Sequence, residues 1–342
     1  MEGRMTTELF NCGSAKSISG RAATGLVRCL QAAMAVTLIV ASATFAKSEA
    51  PELIVLGVAQ DGGYPQAGCQ RECCQAAWEQ AERRRFVSCL AIVDPDSAER
   101  WLLDCTPDFP EQLRLLDQLT RPADSAAQRP KPLLNGILLT HAHIGHYTGL
   151  MHLGREVLSA DGIPVFCMPR MRYFLESNGP WSQLVKLKQI ELRRLAAAQA
   201  TRLNGRLEVS PFLVPHRDEY SETVGFHIRG PERSAIYLPD IDKWERWEVD
   251  IEQLLKSVEL AFVDGTFYAN GELPGRDMSE IPHPFITESM QRFLKLPASE
   301  RGKLHFIHLN HSNPALQASS PAVEAIHQAG MHVAQQASRF SL

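Results

Sequence analysis

Ile137-Leu138-Leu139-Thr140-His141-Ala142-His143-Ile144-Gly145-His146-Tyr147-Thr148-Gly149-Leu150 joins an apolar run to three histidines within six positions. The histidines fall at i, i+2 and i+5, which matches no helix face, so the segment reads as a loop at the end of a strand. Extended backbone sends side chains i and i+2 to the same side, so His141 and His143 can share one partner. Neutral imidazole is a common ligand for Zn²⁺ and similar ions. Only 12 His occur in 342 residues, so this density points to a metal site rather than to a histidine-rich surface loop.

One loop cannot supply a full ligand set, so other strand ends must contribute. Hydrophobic runs that stop at a His or Asp recur along the chain: Phe212-Leu213-Val214-Pro215 before His216, Ala235-Ile236-Tyr237-Leu238-Pro239 before Asp240, Leu260-Ala261-Phe262-Val263 before Asp264, and Leu304-His305-Phe306-Ile307 before His308. Any one of these is more often a capping Asp or a packed His. Their repeated placement points instead to one edge of an α/β scaffold that gathers polar groups. From Glu52 onward, short β-rich runs alternate with amphipathic segments. Residues 52–58 read as a buried strand entering the loop Gln60-Asp61-Gly62-Gly63, 86–93 and 101–104 as a strand pair, and 110–119 as a helix. Residues 121–132 read as a surface loop and 148–158 as a helix. The strand at 163–167 carries Pro164, which belongs at its start or on a sheet edge. Residues 203–214 read as strand and 244–255 as helix. No short repeat or low-complexity linker divides residues 50–342, so a single catalytic α/β domain accounts for them.

His141-x-His143-x-Gly145-His146, then His216 ahead of Thr223-Val224-Gly225-Phe226, then Pro239-Asp240, then His308 resembles the ordered motif set of the metallo-β-lactamase fold. Within that fold, Gly57-x-Ala59-Gln60-Asp61-Gly62-Gly63-x-Pro65-Gln66, Pro215-His216-Arg217-Asp218-Glu219-Tyr220 and Val263-Asp264-Gly265-Thr266-Phe267 are similar to the pyrroloquinoline quinone biosynthesis protein B (PqqB) branch. Ile281-Pro282-His283-Pro284 and the segment from Phe306 to Pro314 add to the likeness, which spans about residues 52 to 315. The resemblance implies an αββα sandwich of two mixed β-sheets with helices outside and a metal centre at one sheet edge. Carried over residue by residue, it implies that His141, His143 and His216 hold one metal, that Asp240 bridges, and that His146 and His308 belong to a second site. Gly145 stands where the fold's usual pattern has Asp, so the second site is expected to be weak, empty or completed by His311. Zn²⁺ is the expected ion, one or two per chain, with Fe²⁺ or Mn²⁺ also suited to such ligands. The expected activity is that of a metallo-hydrolase, in which a metal-bound hydroxide attacks a small-molecule ester, phosphoester or lactam. Asp240 would hold or orient the water, and His308 or His283 would protonate the leaving group. Asp218 and Glu219 read as partners of ligand imidazoles or as solvated loop charges. A PqqB-like metal-dependent oxygenase and a non-catalytic metal- or ligand-binding protein are the two other classes that fit.

The remaining features bound the setting. The formal net charge is -4, and acidic and basic residues are mixed without a long basic block, so charge gives nucleic-acid binding no support; the expected partner is a small-molecule substrate. Arg21 and Arg28 precede the apolar run from Leu30 to Val40, and small residues follow through Ala46. Residues 1–46 therefore read as a signal peptide, whose apolar run is too short to span a membrane comfortably. The expectation is a periplasmic or secreted protein with no stable membrane insertion after cleavage. Cys12 and Cys29 would leave with the leader. Cys69, Cys73 and Cys74 are expected to lie together, bridged or metal-bound, and the family branch's own cysteine cluster implies a structural metal. Cys89 and Cys105 sit in apolar runs and read as small buried hydrophobes.

Overall fold

Consecutive apolar residues in a strand point to opposite faces, so the apolar runs noted above demand cover on both sides. In β1 (Glu52–Gly57), Leu53 and Val55 join one buried cluster while Ile54 and Leu56 join another. The first cluster unites residues of two sheets. The second packs the far face of one sheet against the helices Phe109–Thr120 and Pro169–Ser177. The computed structural model describes residues 48–120 and 132–342, so the expected signal peptide and nearly all of the expected loop at 121–132 lie outside the described residues.

The first sheet is built from β1, β2 (Cys89–Asp94), β3 (Glu99–Leu103), β4 (Gly136–Leu138), β5 (Ile163–Cys167) and β6 (Ile190–Arg194). The second contains β7 (Thr201–Arg202), β8 (Glu208–Leu213), β9 (Val224–Arg229), β10 (Ser234–Leu238), β11 (Leu260–Asp264), β12 (Leu304–Ile307) and β13 (His332–Val333). The last strand, β14 (Arg339–Ser341), returns to the first sheet beside β1. The spatial orders are β14-β1-β2-β3-β4-β5-β6 and β13-β12-β11-β10-β9-β8-β7. Each sheet is mixed: antiparallel from β14 to β3 and from β7 to β10, parallel from β3 to β6 and from β10 to β13. With helices flanking the sheets, this is the αββα sandwich that the motif order implied.

Three local expectations need correction. The helix expected over 148–158 is a short α-helical turn at Ile144–Tyr147 followed by a 3₁₀ segment at Thr148–Leu153. The buried pair Leu150 and Leu153 has the spacing of three residues per turn. Gly149 also lies so close to the preceding loop that a Cβ there would sit 2.1 Å from the Thr106 carbonyl oxygen. The strand expected over 203–214 is interrupted, because Asn204 Oδ1 accepts from the N–H groups of Arg206 and Leu207 and forms a turn between β7 and β8. The helix expected over 244–255 is a 3₁₀ turn at Trp244–Arg246 and a separate helix Ile251–Lys256, whose N-cap Asp250 accepts from Glu252 N–H. Pro164 stands second in β5, an internal strand, so it occupies the strand's start rather than a sheet edge.

The carboxyl ends of β1, β3, β4, β8, β10, β11 and β12 meet at one edge, and short cross-links hold them there. Leu309 N–H donates to the Val58 carbonyl, and Gln60 N–H donates back to the Leu309 carbonyl, each at 2.8 Å. Val224 N–H donates to the Thr140 carbonyl at 3.1 Å. These bonds tie the two sheets together where the histidines lie.

Candidate metal centre

Beyond β4 the chain turns at Thr140, whose N–H and hydroxyl both donate to Asp104 Oδ1, at 2.8 and 2.9 Å. With its proton given to Asp104, the Thr140 hydroxyl accepts from His141 Nδ1 at 3.0 Å and leaves the Nε2 lone pair free. His141 Nε2 lies 2.9 Å from His143 Nδ1 and 3.4 Å from Asp240 Oδ2. His216 Nε2 lies 3.3 Å from each of the same two atoms. Around a tetrahedral Zn²⁺, nitrogen and oxygen donors stand about 3.4 Å apart, so these four atoms have the separation that one ion requires. Each imidazole is held from behind. His216 Nδ1 faces Asp242 at 3.3 Å, and Arg246 anchors Asp242 at 3.0 Å. Glu219 meets His143 Nε2 at 3.1 Å, which makes it a ligand partner, whereas Asp218 pairs with Arg170 at the surface.

A second set adjoins the first. His146 lies inside the helical turn after the loop, and its Nδ1 donates to the buried Asp104 Oδ2 at 2.8 Å. Its Nε2 is 3.4 Å from Asp61 Oδ1 and 3.7 Å from Asp240 Oδ2. His308 Nε2 is 3.9 Å from both carboxylate oxygens. Thr266 positions His308 through Nδ1 at 3.0 Å, and Thr266 is itself bonded to Asp264 at 2.7 Å. Asp240 Oδ2 therefore faces both sets. Asp104 and His308 both have positive φ, 71° and 64°, a conformation that costs non-glycine residues on the order of 1 kcal/mol and persists where surrounding contacts enforce it.

Whether a cation belongs here is tested by the buried polar atoms. Asp61 Oδ1, His146 Nε2 and His308 Nε2 are all buried without a hydrogen-bond partner. Such groups normally find one, and three converging orphans of this donor type suit a divalent ion. The electrostatics agree. Burial opposes ionisation of Asp240 and Asp61, yet the surrounding imidazoles hold both carboxyls well below the usual range. Burial likewise disfavours a proton on His216, but Asp240 and Asp242 push its pKa up to about 10. A divalent ion held among these groups would displace such protons, because it needs its imidazole ligands neutral.

His283 stands beside the shared carboxylate, with Nδ1 2.8 Å from Asp264 Oδ2 and 3.2 Å from Asp240 Oδ1. Asp264, read from sequence only as a strand end, is a buried clamp for both His283 and Thr266. The structure thus brings together His141, His143, His146, His216, Asp240, His283 and His308. It does not bring in His311. Nor does the second set lack a carboxylate of its own, because Asp61 stands in the space beside Gly145. Sequence reasoning placed Asp61 in a two-glycine loop and in a motif of the family branch without assigning it to the metal centre; the available signal was an Asp just past a strand end, in a loop loosened by two glycines.

His311 instead joins the cysteine cluster. Cys74 Sγ and Cys73 Sγ lie 3.3 and 3.8 Å from His311 Nδ1, and Cys69 Sγ lies 3.9 Å from Cys73 Sγ. All three cysteines are free thiols, so the bridged alternative does not hold. Sulfur ligands of a tetrahedral Zn²⁺ stand about 3.8 Å apart, which matches a Cys₃His structural site. Cys89 and Cys105 are fully buried among hydrophobic residues.

Comparison with known proteins bears on fold and family. The Beta-lactamase superfamily domain matches residues 99–309, more than half of the chain. Coenzyme PQQ synthesis protein B of Xanthomonas campestris pv. campestris is 26% identical over 313 residues, covering 85% of this chain and 99% of that protein. The crystal structure of Zn²⁺-bound PqqB from Methylobacterium extorquens superposes with a TM-score of 0.69 at 22% identity, over 85% of this chain and 100% of the other. A diphosphatase of the PhnP family superposes with a TM-score of 0.57 at 19% identity, over 86% and 98%. Sheet order, strand-end histidines and the matched domain converge, and the chain belongs to the β-lactamase superfamily.

Proposed function

We propose that this protein is a metal-dependent hydrolase acting on a small-molecule ester, phosphoester or lactam. The observation that carries this reading is the pair of donor sets that share Asp240 Oδ2, one of them with three buried and unpartnered ligand atoms. A divalent ion such as Zn²⁺ held there would polarise the bond under attack and acidify water towards a pKa of about 7. Asp240 orients the attacking water. Asp264 fixes Nδ1 of His283 and leaves Nε2 to carry a proton to the leaving group. His308 was expected to share that role, but its Nε2 points into the second donor set, so the proton falls to His283. Asp104, Asp242, Glu219 and Thr266 fix ring orientations and tautomers.

A second reading is favoured by the likeness to Coenzyme PQQ synthesis protein B: an oxidative role in quinone-cofactor synthesis with Fe²⁺ at the same ligands. Metal analysis combined with turnover separates the readings. Zn²⁺ content with hydrolysis of bis(p-nitrophenyl) phosphate, p-nitrophenyl acetate or nitrocefin supports the first. Iron content with substrate-dependent oxygen uptake supports the second, and metal without either activity indicates a binding protein. We also place the protein in the periplasm or outside the cell, on the Arg28 flank and the apolar run from Leu30 to Val40. Among the described residues no helix is long and apolar enough to cross a membrane. Mass spectrometry of natively expressed protein should find an N-terminus near Ala43 to Lys47, and an intact Met1 on a cytosolic product would end that reading.

A further inference from the structure

We propose that Asp61, on the loop after β1, supplies the carboxylate of the second ion in place of the aspartate that the fold's usual motif carries at position 145, and that Gly145 is what admits it. This rests on the reading of the centre as a metal site, and not on hydrolysis. A Cβ built on Gly145 would lie 2.1 Å from Asp61 Oδ1, 2.6 Å from Asp61 Cα and 2.9 Å from Asp61 Cγ. Real Cβ atoms do not approach so closely, so a side chain at 145 and the present Asp61 loop exclude each other. The space that a motif aspartate would fill is occupied by a carboxylate arriving from another strand.

Its placement is built into the fold. The loop is held by the reciprocal bonds between Val58, Gln60 and Leu309, and Gly63 N–H closes the turn on the Gln60 carbonyl at 2.7 Å. Leu309 follows His308 directly, so Asp61 and His308 sit on strand extensions bonded to each other, and their ligand atoms come within 3.9 Å. Asp61 Oδ1 is buried, has no hydrogen-bond partner and faces His146 Nε2 at 3.4 Å. The second set therefore comprises His146, His308, Asp61 and the shared Asp240. It keeps the anionic ligand that Gly145 removes from the motif, so the second position binds a divalent ion instead of standing weak or empty. Restoring aspartate at 145 does not add a ligand to this arrangement; it expels the loop that already provides one.

The test uses the full protein loaded with Mn²⁺, which imidazole and carboxylate donors accept and thiolates bind poorly. Ions per chain are counted by elemental analysis, and an exchange-coupled EPR signal reports a neighbouring pair. The unmodified protein should hold two coupled Mn²⁺ ions. Asp61→Asn keeps the shape and removes the charge; it should hold one ion, lose the coupled signal and bind the second at least about tenfold more weakly. Gly145→Ala removes no ligand, yet should behave like Asp61→Asn because its methyl group displaces the loop. Two coupled ions at unmodified affinity in Asp61→Asn would overturn the proposal, as would a single ion in the unmodified protein. If Gly145→Ala does not fold, Asp61→Asn alone decides. Two coupled ions in an unmodified protein without any turnover would count against hydrolysis while leaving Asp61 in place.

Discussion

Asp104 shows how much of the candidate centre rests on side chains outside the two donor sets. It is fully buried, takes both donors of Thr140, holds His146 Nδ1 and receives the Tyr237 hydroxyl at 3.3 Å. Two imidazoles from different sets thus owe their orientation to one carboxylate. Asp104→Asn keeps the volume but can present an N–H to His146, which favours the wrong tautomer. The expected result is a 10- to 100-fold loss of affinity for the second ion, read by metal titration, with His141 and His216 still retaining the first. Unchanged affinity for both ions would show that the tautomer is set elsewhere. In the sequence, Asp104 was legible only as the end of a strand, because its partners come from β4 and β10 and nothing local marks it. The three motif histidines were legible for the opposite reason: their spacing and strand-end position are local facts. His305 lies on the same β12 that delivers His308 and makes a different point. It packs against Phe262, His332 and Phe340, with ring centroids 5.3, 4.9 and 5.0 Å away. Burial, then the charge of His332, press its pKa down to about 4. The unfolded chain binds this proton below about pH 6.5, whereas the folded chain does so only below about 4. Its contribution to stability is therefore complete above pH 6.5, is lost as pH falls from 6.5 to 4, and changes no further below that. The ceiling is on the order of 3 kcal/mol. Urea unfolding of His305→Phe at pH 7, 5.5 and 4.5 should show a shallower acid decline than the unmodified protein, and parallel declines would refute the assignment.

At the scale of elements, the Cys₃His cluster and the metal centre share two loops. The segment from Val58 to Cys74 carries Asp61 at one end and three thiols at the other, while residues 308–311 carry His308 and His311. An ion held by Cys69, Cys73, Cys74 and His311 would clamp both segments, and with them two donors of the second set. Tyr64 reinforces the clamp, its hydroxyl donating to the Cys73 carbonyl at 2.7 Å. Cys74→Ser should release one Zn²⁺ per chain and raise amide hydrogen exchange in both segments. It should also weaken the second ion of the distant pair by roughly tenfold, since its ligands lose their anchor. Exchange confined to residues 69–74 would mean that the two loops are stiff without the clamp. The sequence showed that the cysteines belong together, but it offered His311 only as an optional ligand of the second metal site and not as their fourth partner. His308 and His311 are three residues apart, and spacing alone gives no sign that the chain turns between them and sends their rings to different sites.

For the whole molecule, the two-sheet sandwich was legible because the motifs occur in a known order and because the apolar runs are continuous. What was not legible is register, which sets which strand end opposes which, and so decides that Asp61 fills the space beside Gly145. Register also separates the molecule into a functional edge and a structural one. At the amino end of β1, opposite the candidate metal ligands, β14 pairs Ser341 with Glu52, and Leu342 N–H donates to the Pro51 carbonyl at 2.7 Å. Leu342 is fully buried and belongs to the cluster that unites the sheets. A Leu→Ala change at such a position costs about 2–4 kcal/mol, because the removed methyl groups leave a space the sheets cannot readily close. In a domain this large each kcal/mol lowers Tm by about 2–4 °C, so Leu342→Ala should unfold roughly 5–15 °C earlier. Metal count and second-ion affinity should be unchanged at 25 °C, since no ligand or ring-holding residue contacts that end. Thermal unfolding and Mn²⁺ titration on the same sample decide the matter: a lower Tm with two ions retained shows the edges to be energetically separate, whereas loss of an ion would mean that strain at the terminus travels along β1 to Asp61.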